Sequence, residues 1–142
     1  MRALVVLFAL TSSACGTLHL HAQVAATTAP VIDAVGAAIE SEAFRDVEEV
    51  RASGVDVEAR IAKLQQSYEP IERAYEEARA AHEGYVQAIL AAVERGDRRL
   101  GAGYAVRMLD AWRSAESAGE RIGVNVPAPP KALVQLAQEA GP

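Results

Sequence analysis

His82 is the side chain best suited to metal ligation or acid–base work, because an imidazole titrates near neutrality. A di-iron helical site would need a Glu three residues before it, and that position is Arg79. The positions four away are Ala78 and Val86, which do not ligate. His82 instead falls seven residues after Tyr75 and fourteen after Tyr68, on one helical stripe. That spacing predicts a core or bundle-edge histidine, hydrogen-bonded to a tyrosine or a backbone group. His19 and His21 stand two apart and supply two nitrogens, where a closed zinc site takes four ligands. They are read as residues of a tether, with helix from near Val24 as an alternative for its last part. No metal and no cofactor is expected.

Tyr68, Tyr75, Tyr85 and Tyr104 with Trp112 recur at helical spacing. Such positions belong to a core edge, with hydroxyls and indole N–H at its wet rim. Tyr68, Tyr75, His82, Tyr85 and Trp112 together form the candidate interface. Glu48–Glu49 and Glu76–Glu77 are adjacent pairs, so each pair points to different faces of its helix and is unsuited to paired-carboxylate catalysis. Gly101 and Gly103 form a G-x-G with no strand before it and no third glycine after it, so it is not a phosphate loop. The reading is that they let two helices approach closely. No Ser/His/Asp set is defensible, and the chain is expected not to be an enzyme.

The elements that carry these residues are helical throughout. A first helix is predicted from about Pro30 to Ala52, since proline suits a first turn. Ile32, Val35, Ile39, Ala43, Val47 and Val50 give it one apolar face, and Gly54 caps it. The second helix, Val57 to Arg95, alternates spacings of four and three through Val57, Ile61, Leu64, Tyr68, Ile71, Tyr75, Ala78, His82, Tyr85, Ile89 and Ala92. That is a heptad seam. Pro70 interrupts it without shifting its phase, which predicts a kinked, continuous helix. Asp56–Arg60, Glu69–Arg73 and Arg73–Glu77 are four apart and would brace its solvent side. Asp97 is expected to N-cap a third helix reaching Ile122, with Tyr104, Met108, Ala111, Ala115, Ala118 and Ile122 on one face. A proline-rich connector, 124–130, leads to a short helix ending near Ala140. The fold class expected is all-α: an elongated three-helix bundle around a long heptad-patterned central helix, with the C-terminal helix folded across one end. An alternative leaves part of the seam open for another chain.

Composition narrows the function classes. Hydrophobic residues make up 51% of the 142 residues, but large apolar side chains are few, with two Phe and one Trp. The core is therefore thin and closely packed. The net charge is −5 and the basic residues are scattered among acids, which argues against a nucleic-acid surface.

The N-terminus carries an address. Arg2 is followed by an apolar run, Ala3 to Leu10, then Thr11, Ser12, Ser13, Ala14 and Cys15, the only cysteine. Eight apolar residues match the h-region of an export signal, and no later stretch is read as long and apolar enough to span a bilayer. The segment resembles a bacterial lipoprotein signal, with Ser13 and Ala14 fitting the lipobox and Ser12 standing where the family has Leu. The resemblance implies cleavage before Cys15 and a diacylated Cys15 as first residue, and Gly16 after it favours the outer membrane. Ordinary signal-peptidase cleavage is the alternative, either after Ala14 or after Ala22, before Gln23. The domains expected are signal 1–14, lipid-anchored tether 15–29, bundle 30–123, and connector with short helix 124–142. The function expected is a periplasm-facing lipoprotein acting as a structural or interaction module, with the membrane at Cys15 and a protein partner or self-association through the second helix. Two alternatives stand beside it: a periplasmic small-ligand bundle using the aromatic residues and His82, and a phage outer-membrane spanin-type lysis lipoprotein.

Overall fold

Two prolines lie inside long helices, and both helices run through them. The computed structural model describes residues 2–139, with side chains from residue 18 onward, and all its elements are helices: α1 (Arg2–Ser53), α2 (Val57–Glu94), α3 (Gly103–Ile122) and α4 (Lys131–Gln138). Pro70 sits within α2, which is unbroken, as its uninterrupted apolar phase predicts. Pro30 sits within α1 and does not start it. A proline inside a helix removes one backbone bond and costs about 3 kcal/mol. Packing on both sides of Pro30 offsets that cost. His21, Val24, Ala25 and Thr28 before it are buried, as are Ile32, Val35 and Ile39 after it, in one continuous stripe. Thr28 donates its hydroxyl to the Ala25 carbonyl at 3.0 Å, so it is buried without an orphan polar atom.

The expected tether is therefore corrected from residue 18 onward: this segment is helix and core. The apolar expectation is corrected too. Leu18–Ser53 includes a stretch long and apolar enough, by composition, to cross a membrane, because residues 3–32 carry no Asp, Glu, Lys or Arg. Its buried side chains pack against the other helices of the chain. Cys15 lies outside the residues whose side chains are described, and Ala140 lies outside the described residues.

α2 packs against both α1 and α3, and α4 packs on α3 and touches α1. Contacts between α1 and α2 run in opposite senses, from His21–Tyr85 and Ala25–His82 to Asp46–Tyr68. The two helices are thus antiparallel, joined by a three-residue turn. Gly54 and Asp56 both take positive φ there, 63° and 45°. Asp56 precedes α2 with no side-chain cap bond.

The core has two parts. One gathers Val24 and Ile32 of α1, Tyr85 and Ile89 of α2, Ala105, Met108, Leu109 and Trp112 of α3, and Leu133 and Leu136 of α4. The other gathers Val35, Ile39, Tyr68, Ile71, Ala74, Ala115 and Ala118 with Val124 of the connector. The buried face of α3 is thus broader than predicted, adding Ala105, Leu109, Trp112 and Gly119.

Other local expectations fail for local reasons. α3 begins at Gly103, and Asp97 instead accepts from Arg95 Nε at 2.8 Å in the α2–α3 loop. Gly101 and Gly103 face open space. The glycines that permit close approach are elsewhere. A Cβ on Gly119 would lie 2.6 Å from the Val124 carbonyl oxygen, and one on Gly36 would collide with the Tyr75 phenol. Of the expected braces, Glu69–Arg73 forms at 2.6 Å, whereas Arg60 donates to the Ser53 hydroxyl at 2.6 Å.

Candidate functional site

The long apolar stripe of α1 and the buried face of α2 bring His21 against Tyr85, and this pair is the chemical centre of the interior. Tyr85 is wholly buried and His21 is 1% exposed. His21 Nδ1 and the Tyr85 hydroxyl share a short hydrogen bond. The rings meet edge to face, with centroids 5.6 Å apart and planes at 89°. Tyr85 in turn stacks on Tyr104 at 6.4 Å, nearly parallel. The Arg107 guanidinium lies 5.0 Å from the Tyr104 centroid, at cation–π distance. A line of aromatic contacts thus connects a buried imidazole with an exposed cation.

Electrostatics keep this pair neutral. Burial lowers the pKa of His21, opposed by the Glu139 charge and a hydrogen bond to the Leu100 backbone. Burial raises that of Tyr85. Both groups are therefore uncharged near neutral pH, and with the ring N–H of His21 given to the Leu100 backbone, Nδ1 is left to accept the phenol proton. An activated nucleophile or a working base needs the reverse shift or a free lone pair. Among the described residues no buried side-chain nitrogen or oxygen lacks a partner. No group of three His, Cys, Asp or Glu is placed there to hold a metal ion. The arrangement is suited to fixing the helices in register.

The five candidate interface residues are drawn inward by the same packing. Tyr68 is buried and donates its hydroxyl to Asp46 Oδ2 at 2.8 Å. Its pKa is pushed up to about 12, first by burial, then by the Asp46 hydrogen bond and charge. Tyr75 is half-buried over Gly36 and touches both parts of the core. His82 is half-buried and Nε2 donates to the Ala25 carbonyl at 2.8 Å, the backbone partner its spacing predicts. Tyr85 holds His21. Trp112 is buried, and its Nε1 donates to the Pro127 carbonyl at 2.8 Å, fastening the connector to α3. These residues do not form an exposed aromatic face. The apolar space beside them, lined by Ile32, Val35, Tyr75, Ala78, Trp112, Ala115 and Val126, is about 10 Å³, room for at most one water.

Comparison with protein families, with curated proteins and with solved structures finds no match to this chain.

Two surface features were not apparent from the sequence. One is a groove of about 490 Å³ between α2 and α3, where Arg73, Arg113 and Arg121 stand with Ser114, Ser117 and Glu77. The other is a cavity of about 310 Å³ at one end, lined by Leu18, His19, Ala22, Ile89, Val93, Asp97 and Arg98. The repeat Arg113, Ser117, Arg121 was a usable signal for the first. The second joins two stretches far apart in sequence, 18–22 and 89–98, and leaves no local pattern.

Proposed function

We propose that the chain is a small membrane-attached helical module with a structural or protein-interaction role. Its anchor is a lipid-modified Cys15, and its body faces the periplasm from the outer membrane. α1, α2 and α3 form a three-helix body with α2 as its heptad-seamed spine, and α4 closes one end. The observation that supports this best is the continuity of α1. The helix that bears the apolar N-terminal run and Cys15 is the same helix that enters the core at Leu18, His21 and Val24. An export signal followed by a cut after Ala22 would discard Leu18, Leu20 and His21, all of which pack in the interior. Cleavage before Cys15 keeps them. A small-ligand bundle is the weaker reading, because the space beside the aromatic residues is already filled by the chain's own side chains.

Mass spectrometry of the mature N-terminus tests this directly. A diacylated Cys15 is expected, together with loss of the chain from the membrane fraction in Cys15→Ser. An unmodified chain starting at Gln23 refutes it.

A further inference from the structure

The surface around the end cavity carries a pattern that the interior does not explain. α2 leaves Leu90 and Val93 there, 51% and 60% exposed. They continue the stripe of half-buried Val86 at helical spacing of four and three. Just beyond them the α2–α3 loop exposes Arg95, Arg98 and Arg99. Arg95 is held by Asp97, whereas Arg98 and Arg99 make no ion pair among the described residues. The cavity between Leu18 and Val93 is lined mainly by apolar side chains, with His19, Asp97 and Arg98 as its polar residues. Cys15 precedes Leu18 by three residues, about one helical turn.

Charge is graded along the molecule in the same sense. Residues 86–107 hold four arginines against two acids, Glu94 and Asp97, whereas residues 40–72 hold nine acids against four basic residues. A basic, partly apolar end beside the start of α1, one turn from Cys15, is complementary to an anionic bilayer. Apolar side chains enter the acyl boundary and guanidiniums reach the phosphates. An acidic opposite end is repelled by the same surface.

We infer that this end, with Leu90, Val93, Arg98 and Arg99, is a membrane-docking face for anionic phospholipid, which holds the bundle upright on its anchor. The inference rests on the membrane-attachment reading above. Docking adds a second point of contact, so the body does not swing about Cys15.

The full lipidated chain is placed in vesicles of phosphatidylcholine alone, or mixed equally with phosphatidylglycerol. An environment-sensitive thiol dye is attached at Val93→Cys or, at the far end, Phe44→Cys. Acylated Cys15 does not react with the dye. The Val93 probe should shift to the blue and be quenched by lipid-borne quencher in the anionic vesicles, while the Phe44 probe stays unchanged. Arg98→Glu with Arg99→Glu should lower the docked fraction by about an order of magnitude, since each arginine near such a surface contributes several-fold. These side chains are exposed, so unchanged helicity and melting control for folding. If the chain floats with the vesicles but both probes respond alike, the docking face is refuted and the anchor stands. A Val93 shift that ignores both lipid charge and the arginine reversals refutes it as well. So does a shift that appears without vesicles and grows with protein concentration, which would mean a second copy of the chain. A chain that does not float refutes the anchor, and the docking face with it.

Discussion

The two ends of the α1–α2 pair are built differently. Near residues 18–25, all four helices meet, and a histidine and a tyrosine are sealed between them. Past Tyr68, α3 and the connector have ended, and α1 and α2 continue as a two-helix tip. The polar pair at its base, Tyr68 with Asp46, is only partly buried. A buried donor or acceptor that loses its partner pays its full desolvation cost, whereas one near water finds a substitute. The same hydrogen-bond chemistry thus commits the first end to one geometry and leaves the second tolerant.

Five substitutions or conditions test that contrast. Tyr85→Ala should have the largest effect, lowering stability by about 3–5 kcal/mol through a cavity among four helices, read by thermal melting. Tyr85→Phe keeps the ring but strands His21 Nδ1, and should cost about 1–3 kcal/mol; adding His21→Leu should recover most of it, because removing both partners is nearly neutral. Without that recovery, the pair is not the coupled unit the geometry describes.

The next effect is on pH dependence. Burial holds the pKa of His21 below its ordinary value of 6.5, so on acidification the unfolded chain takes up a proton first. Its contribution is complete above about pH 6.5 and falls as the pH drops below it, by at most about 1.4 kcal/mol per unit. The His21→Leu chain should lack that part of the acid slope in a series of melts.

At the other end, Tyr68→Phe should cost no more than about 1 kcal/mol, because water replaces the phenol at Asp46. A loss as large as that of Tyr85→Phe would erase the contrast. His82→Leu should be smallest, within about 1 kcal/mol of the parent chain, since the Ala25 carbonyl keeps the Thr28 hydroxyl.

The long helices were legible where apolar residues kept their period. α2 was readable through Pro70 because Leu64, Tyr68, Ile71 and Tyr75 bracket the proline. α1 was misread before Pro30 because its inward positions there are His21, Val24, Ala25 and Thr28. A histidine and a threonine do not register as core until their partners are known, and His21's partner is 64 residues away. His82 was readable for the complementary reason: its place on the helical stripe predicts a tyrosine or backbone partner, and the Ala25 carbonyl is that partner. Gly119 and Gly36 were not legible, since close approach to Val124 and Tyr75 is a property of the packed chain alone.

The absence of a flexible joint between residue 18 and the core makes α1 a ruler. The 36 residues of Leu18–Ser53 extend at most about 54 Å at the usual helical rise. The Gly54–Asp56 turn is therefore held at a nearly constant stand-off from whatever grips the start of that segment. Two matched heptads added to the tip, one in each of its helices, would raise this height by about 10 Å without touching either buried cluster.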